Sequence, residues 1–360
     1  MHKKLELILK MAVDNGASDI HLQSDSRPHL RVKGKLVPLG KDPERDALSD
    51  AECREIIYAT MNAETRETYI SEKEIDYALS TENYGRFRIN AFTTMGKHGL
   101  VARLLVGDPK SLDDLGAPSV LKEIASLATG LVLVTGETGS GKSSTLAGMI
   151  KYINDNRARR IFTVEDPVEI MFKNNKSLIS QREVGTDTKS WEAALRSVLR
   201  EDPNVILIGE IRNKQTMKIA IDAAETGHLV FATLHTTNSG DTINRILGFF
   251  EESERPQIRN VLAQCLEAVI CQRLTRDVND KFVAVTEVMR RNLRVADAIR
   301  DEDKTHNLYQ IIEASSYEQM QTFEQCLLNL VGNGILTPEK ALTLTEHPGD
   351  LGKKLKNIVR

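Results

Sequence analysis

The sequence predicts an α/β protein built from two domains, and three observations carry that prediction. In the first hundred residues, apolar and polar residues alternate along short segments, which is typical of antiparallel strands with one face exposed to solvent. From about residue 119, short and wholly apolar segments alternate with helical patterns, as in a parallel sheet covered by helices on both faces. Between them, 107–119 contains two glycines, two prolines and three aspartates, so we predict a linker over 108–118 that separates domain 1–107 from domain 119–360.

The N-terminal domain begins with a predicted amphipathic helix over 3–13, whose apolar residues recur every three to four positions before Asn15-Gly16. Ser49 and Glu52 form a capping-box pattern, which predicts a helix that reaches about Ile70. The predicted strands of this domain are 19–23, 30–37 with a turn at Lys33-Gly34, 74–79, 85–93 and 100–106.

The C-terminal domain is predicted to contain a parallel sheet followed by a helical part. Its predicted strands are 131–134, 160–164, 205–208 and 229–234. From about Pro256 helices dominate, with one further strand at 282–288.

Composition excludes several classes of protein. The 48 Lys and Arg residues nearly balance the 51 Asp and Glu residues, so the chain has no global attraction to nucleic acid or anionic lipid. No apolar run approaches the roughly 18 to 20 residues of a membrane span, and the N-terminus does not resemble a signal peptide, which predicts a cytoplasmic protein. The four cysteines are too widely spaced for a zinc site.

A phosphate-binding loop follows the first strand of the C-terminal domain. Residues 136–143, Gly-Glu-Thr-Gly-Ser-Gly-Lys-Ser, match G-x-x-x-x-G-K-[ST] before a predicted helix over 144–153. The glycines let backbone N–H groups turn toward phosphates, and the helix N-terminus adds positive potential. Lys142 is expected to contact the β- and γ-phosphates of ATP, and Ser143 to bind Mg²⁺. The predicted nucleotide-binding residues are Gly136, Thr138, Gly139, Ser140, Gly141, Lys142, Ser143 and Ser144.

Carboxylates follow two other apolar strands. Glu210 comes after 204–208 and is the candidate Walker B residue, placed to act on Mg²⁺ and its water; a helix-capping role is the alternative. Glu165, Asp166 and Glu169 follow 160–164, and one of them is suited to position the water that attacks the γ-phosphate. Spacing alone does not choose among these three.

Two histidines and two arginines complete the set of candidates. His228 precedes the strand 229–234 and His235 follows it, and strand ends in an α/β sheet face the ligand crevice. Arg88 and Arg103 lie within predicted strands, where a guanidinium requires an anionic partner. That partner is either an internal carboxylate, such as Asp76 or Glu74, or the γ-phosphate of a nucleotide reached across a domain or subunit boundary.

In this order the motifs resemble those of the PilT-like branch of the secretion ATPases, the type IV pilus retraction motors, over essentially the whole chain. The segments that carry the resemblance are Gly-Ala-Ser-Asp-Ile-His-Leu at 16–22, Gly-Arg-Phe-Arg at 85–88, the Walker A loop at 136–143, an Asp box at 163–169, Gln-Arg-Glu-Val-Gly at 181–185, Ile-Gly-Glu-Ile-Arg at 208–212, a His box at 225–235 and Met-Gln-Thr-Phe-Glu-Gln at 320–325.

The resemblance implies a PAS-like N-terminal domain and a RecA-like P-loop ATPase domain with a helical C-terminal part. It further implies a homohexamer with nucleotide at the interface between protomers, docked on an inner-membrane pilus platform protein and working beside a paralogous pilus ATPase. Glu165 would be the catalytic carboxylate, Glu210 would be linked to Mg²⁺, directly or through water, and His235 would contact the γ-phosphate. Arg88 and Arg103 would be the arginines that the N-terminal domain brings to the nucleotide.

Two absences favour the retraction branch: the chain lacks the additional N-terminal domain of the assembly and type II secretion ATPases, and it lacks their tetracysteine zinc motif. One departure stands against it, because the retraction motif Ala-Ile-Arg-Asn-Leu-Ile-Arg-Glu reads Arg-Val-Ala-Asp-Ala-Ile-Arg-Asp at 294–301. We therefore predict a Mg²⁺-dependent, hexameric ATPase that powers type IV pilus retraction and twitching motility. An accessory PilU-like motor or a Dot/Icm-type secretion ATPase is the alternative.

Two hypotheses from other classes are a scaffold that binds ATP without turnover and a nucleic-acid motor. Balanced charge and few aromatic residues for base stacking count against nucleic acid as a partner.

Overall fold

The computed structural model describes residues 2–105, 107–345 and 348–356. The chain divides into two compact units, one made of Met1–Asp108 with Pro167–Met171 and the other of Pro109–Asp166 with Phe172–Arg360. Val106, the predicted end of a strand, lies outside the described residues, as do 346–347 and 357–360 of the predicted domain 119–360.

The first unit is an antiparallel sheet with three helices on one face. Its elements are α1 (Lys3–Asp14), β1 (Ala17–Gln23), β2 (His29–Val32), β3 (Lys35–Pro38), α2 (Asp50–Tyr58), α3 (Ala63–Glu72), β4 (Glu74–Thr81), β5 (Gly85–Thr94) and β6 (Lys97–Leu105). The strand order is β3-β2-β1-β6-β5-β4. Leu9, Ile56 and Phe87 are fully buried in one core, while Arg88, next to Phe87 on β5, is on the opposite face of the sheet.

The helix predicted over 49–70 is two helices. The capping box at its start is confirmed, because Ser49 accepts from the backbone N–H of Glu52 and the Glu52 carboxylate accepts in return from that of Ser49. The side chain of Asn62 accepts from the backbone N–H of Thr65, and this second cap starts α3 after a break.

The second unit contains a seven-stranded sheet with helices on both faces. Its strands are β7 (Gly130–Thr135), β8 (Arg160–Glu165), β9 (Leu178–Glu183), β10 (Val205–Ile208), β11 (Leu229–Leu234), β12 (Leu266–Arg276) and β13 (Phe282–Arg290). The order is β13-β12-β7-β11-β10-β8-β9, and every neighbouring pair is parallel except β12 and β13. Leu131 and Leu133 of β7 enter one core, and Val132 and Val134 enter a second core across the sheet.

The helices of the second unit complete both layers. They are α4 (Val120–Ala125), α5 (Lys142–Asn156), α6 (Trp191–Val198), α7 (Lys214–Glu225), α8 (Ser239–Leu247), α9 (Arg255–Cys265), α10 (Leu293–Arg300), α11 (Leu308–Ala314), α12 (Phe323–Gly332), α13 (Pro338–Leu342) and α14 (Pro348–Leu355). Within the described ranges, no helix has the length and apolar character needed to cross a membrane.

The mixed α/β fold agrees with the sequence prediction, but two strands were missed. β9 is a half-buried edge strand, and β12 continues the apolar run of α9 without a turn residue between them. Apolar spacing therefore does not mark where the helix ends. The predicted helical C-terminal part begins with α9, but it then contains the hairpin β12–β13, which belongs to the seven-stranded sheet, so this sheet is not wholly parallel.

Candidate nucleotide-binding site

The predicted catalytic segments of the second unit lie at the carboxyl ends of four neighbouring strands. The phosphate-binding loop follows β7, His235 follows β11, Glu210 comes two residues after β10, and Glu165 ends β8. The strands end together because Thr135 pairs with Leu234 and Ile208 pairs with Val164. The parallel sheet thus brings to one edge residues that lie up to a hundred positions apart, as expected for a ligand site in an open α/β sheet.

The phosphate-binding loop has the backbone conformation that its glycines predict. Gly136, Gly139 and Gly141 all have positive φ angles, of 144°, 82° and 90°. The Lys142 Nζ donates to the carbonyl oxygens of Gly136 and Glu137, at 2.8 and 2.9 Å. The ammonium group is therefore held over the loop itself.

The remaining loop residues are arranged around this backbone. Thr138 and Gly139 are exposed at the top of the loop, and Ser140 is buried beneath it. Ser143 and Ser144 are exposed in the first turn of α5, where free backbone N–H groups favour a phosphate.

The Glu210 carboxylate lies between the side chains of Arg212 and His235. Arg212 forms an ion pair with this carboxylate, and His235 Nε2 lies 3.2 Å from its second oxygen. Burial alone raises the pKa of Glu210, but the hydrogen bonds and charges of Arg212 and His235 outweigh burial and hold the pKa below its ordinary value. Glu210 is therefore an anion at neutral pH, the state that a Mg²⁺-linked carboxylate requires.

Of the three carboxylates in the Asp box, only Glu165 ends a strand of the ATPase sheet. The Nε2 of Gln181 on β9 lies 3.4 Å from the Glu165 carboxylate, and the backbone of Gly209 bonds to Val164 beside it. Asp166 is exposed, and Glu169 belongs to the first unit. Glu165 is therefore the one carboxylate of the three that lies at the strand end beside Glu210 and the phosphate-binding loop.

The two histidines of the His box are separated by the strand between them. His228 precedes β11, at the end of the sheet away from the loop, and its Nδ1 lies 3.0 Å from the Ala223 carbonyl oxygen. Only His235 is at the edge that carries Glu210.

Arg88 and Arg103 are direct neighbours across β5 and β6 of the first unit. The Arg103 Nε donates to Asp19 on β1 at 2.8 Å, and Arg31 on β2 lies 3.8 Å from the same carboxylate. The internal partner is thus Asp19 and not Asp76 or Glu74. In the part of the chain that the structure describes, the Arg88 side chain makes no hydrogen bond or ion pair.

Asp19 stands in a field of positive charge. Only 5% of this residue is exposed, and burial raises its pKa; hydrogen bonds from Arg103 and Ser18 outweigh burial, so the pKa of Asp19 is below its ordinary value. Three guanidinium groups, from Arg31, Arg88 and Arg103, share this row of the sheet with one carboxylate. The row therefore carries a surplus of positive charge.

Sequence reasoning missed three residues that support the site. Asp19 lies within the family signature at 16–22, and Gln181 lies within the one at 181–185. Arg212 comes two residues after Glu210. Their positions within motifs were the available signal; the contacts of Asp19 and Gln181 depend on strand pairing, whereas the Arg212 contact with Glu210 is local.

Comparison with known proteins agrees with this geometry. Residues 1–319 match the family described as type II/IV secretion system protein. The chain is 39% identical over 341 residues to the type IV pilus retraction ATPase PilT of Pseudomonas aeruginosa, an alignment that covers 95% of this chain and 98% of the relative. It is 36% identical over 354 residues to the type IV pilus ATPase PilU of the same organism, covering 98% and 91%.

A solved structure extends the similarity to three dimensions. A crystal structure of the pilus retraction motor PilT with bound ADP matches with a TM-score of 0.90 and 38% sequence identity, over 98% of this chain and 100% of that chain. The chain therefore belongs to the type II/IV secretion system protein family, among its PilT-type ATPases.

Proposed function

We propose that this protein is a Mg²⁺-dependent ATPase that works as a hexameric motor for type IV pilus retraction. The observation that carries the proposal is the convergence of the phosphate-binding loop, Glu165, Glu210 and His235 on one edge of the ATPase sheet. The similarity to PilT proteins over nearly the whole chain supports the type IV pilus as the structure on which the motor acts.

The residues fit ATP and Mg²⁺. A serine hydroxyl and an ionised carboxylate are the hard oxygen ligands that Mg²⁺ prefers, so Ser143 would hold the ion directly and Glu210 would hold it directly or through water. When bound, Mg²⁺ neutralises charge on the β- and γ-phosphates. The other nucleotide contacts come from the backbone N–H groups of 136–144 and from Thr138.

The side chains of this edge have separate roles in hydrolysis. Lys142 leaves the carbonyl oxygens of its own loop for the stronger acceptors of the β- and γ-phosphates. Glu165 accepts a proton from, or orients, the attacking water. His235 contacts the γ-phosphate. Because its Nε2 is also held by Glu210, it links the γ-phosphate to the Walker B carboxylate.

Arg88 and Arg103 would act on a nucleotide held by a neighbouring subunit. Their support is electrostatic: Arg31 and Arg103 share the Asp19 carboxylate, Arg88 lies in the same row of the sheet, and an approaching phosphate would neutralise the surplus of positive charge. A homohexamer places such a phosphate next to the first unit of an adjacent subunit. Hydrolysis then changes how subunits are held together, which would move an inner-membrane pilus platform protein docked on the ring.

The test is a retraction assay in the organism that encodes the protein. Deletion should leave cells with pili that do not retract, and the wild-type gene should restore retraction. Glu165→Ala and Lys142→Ala should fail to restore it. Lys151→Ala is the matched control, because Lys151 lies on the same helix α5 and forms an ion pair with Asp155, four residues further along that helix. Normal retraction in the deletion strain would contradict the proposal and indicate an accessory motor or a secretion ATPase.

A further inference from the structure

Gln272 lies directly beneath the phosphate-binding loop, although it belongs to no nucleotide-binding motif. It is on β12, the strand that pairs with β7, and the residue before it, Cys271, pairs with Thr135 at the end of β7. Gln272 therefore comes level with the start of the loop. Only 3% of the residue is exposed, so its amide must find its partners inside the protein.

The amide of Gln272 joins the loop to the helix that follows it. Its Nε2 donates to the carbonyl oxygen of Ser140 at 2.6 Å, and its Oε1 accepts from the Thr145 hydroxyl at 2.7 Å. The two contacts also fix which end of the amide is which, because the Ser140 carbonyl can only accept. One side chain thus holds both the buried part of the loop at Ser140 and the first turn of α5.

Two loop glycines make room for the same residue. A Cβ on Gly136 would lie 2.3 Å from the main-chain carbonyl oxygen of Gln272, and a Cβ on Gly141 would lie 2.7 Å from its Nε2. Both distances are shorter than any ordinary contact. Gly136 is therefore required by the main chain of β12, whereas a side chain at Gly141 would displace the Gln272 amide.

The contact with Ser140 determines where the next N–H group points. The C=O of Ser140 and the N–H of Gly141 belong to one planar trans peptide, so they point in opposite directions. Because Gln272 holds the C=O downward into the protein, the N–H is directed away from β12, toward the side of the loop that faces ligand.

We propose that Gln272 is a positioning residue of the phosphate-binding loop, which sets the 140–141 peptide so that the Gly141 N–H meets a nucleotide phosphate. The proposal rests on the nucleotide binding inferred above. Gln272 itself does not touch the ligand; it acts through the loop peptide and through Thr145.

The experiment measures ADP affinity of the full-length protein with a fluorescent ADP analogue, together with the melting temperature with and without ADP. Gln272→Leu keeps the size of the side chain and removes both hydrogen bonds; we expect the dissociation constant for ADP to rise about tenfold. Thr145→Val removes only the bond to the helix, and a rise of about threefold or less is expected. The matched control is Gln321→Leu, which removes two hydrogen bonds to Thr286 on β13 in the same unit. Because this site is far from the loop in sequence, the variant should leave ADP affinity unchanged.

A merely structural role for Gln272 predicts a different pattern. In that case Gln272→Leu and Gln321→Leu would both lower the melting temperature of the nucleotide-free protein, and ADP would raise the melting temperature of each variant as much as that of the wild type. This result would overturn the proposal. If Gln272→Leu does not fold, Gln272→Asn replaces it, since it keeps the amide but shortens its reach; unchanged ADP affinity in that variant would equally refute the proposal. Failure of the wild-type protein to bind ADP would instead refute the proposed function.

Discussion

Replacement of Gly136 by alanine tests the geometry of the loop, and the same replacement at Gly139 is the control. The new Cβ would lie 2.3 Å from the Gln272 carbonyl oxygen and 2.6 Å from the Ser140 Oγ, whereas carbon and oxygen ordinarily stay about 3.3 Å apart. The loop must therefore move by about 1 Å. At Gly139, where φ is also positive, a Cβ would meet no atom within 4 Å.

The expected cost follows from these two effects. Gly139→Ala suffers only the backbone strain of a positive φ, about 1–2 kcal/mol. Gly136→Ala suffers comparable strain at a φ of 144° and, in addition, an overpacking cost of about 1–3 kcal/mol because its neighbours are main chain and a short side chain. For a unit of this size, each kcal/mol lowers the melting temperature by about 2–4 °C. Gly136→Ala should therefore melt about 2–12 °C below Gly139→Ala.

The measurement is thermal unfolding of the nucleotide-free protein followed by tryptophan fluorescence. The chain has one tryptophan, Trp191 on α6, so the signal reports the second unit, which contains the loop. Equal melting temperatures for the two variants would refute the reasoning, because they would mean that β12 does not limit the loop at Gly136.

Further predictions concern charge and thiols. Glu210→Gln should lower ATP turnover, measured as phosphate release, on the order of a hundredfold, while Glu254→Gln, which breaks an exposed ion pair, should leave turnover unchanged. The backbone hydrogen bond of the capping box is the main reason that the pKa of Glu52 is lowered from 4.5 to about 2. The stabilising contribution of Glu52 is therefore complete above pH 4.5 and is lost as the pH falls toward 2. Denaturant unfolding of Glu52→Gln should lack this part of the acid dependence. Burial raises the pKa of Cys53 to about 11 and that of Cys265 to about 12, so a thiol reagent at pH 7.5 should label both only as fast as the units open; prompt labelling of the folded protein would contradict their burial.

Much of the site was predictable because its elements are local in sequence. The phosphate-binding loop combines a strand, a glycine-rich turn and a helix within a few residues, and the structure has them in that order. The positions of Glu210 and His235 followed from their place after apolar strands, since parallel strands end at a common edge. That their side chains face each other depends on β10 and β11 being neighbours, which the sequence does not specify.

Two of the residues that sequence reasoning missed have partners that are distant along the chain. Asp19 meets Arg103 from 84 positions away, and Gln272 meets Ser140 from 132 positions away. A pattern of apolar residues determines which face of a strand is buried, but it does not specify which strands are neighbours or their register. β12 was itself hidden, because its apolar run continues that of α9.

The motif residues and the internal groups that hold them have complementary roles in the nucleotide-free protein. Lys142 and Arg103 are cations that the proposed chemistry assigns to phosphates, and each is already bonded to oxygens of the chain, Lys142 to loop carbonyl groups and Arg103 to Asp19. Such bonds lower the cost of holding positive charge near a protein surface before a ligand arrives. They differ in strength, because a neutral carbonyl oxygen is a weaker acceptor than an ionised carboxylate. The motif residues therefore identify the chemistry, while internal oxygen atoms, from the loop itself for Lys142 and from the neighbouring strand β1 for Arg103, determine how firmly each cation is held before a ligand binds.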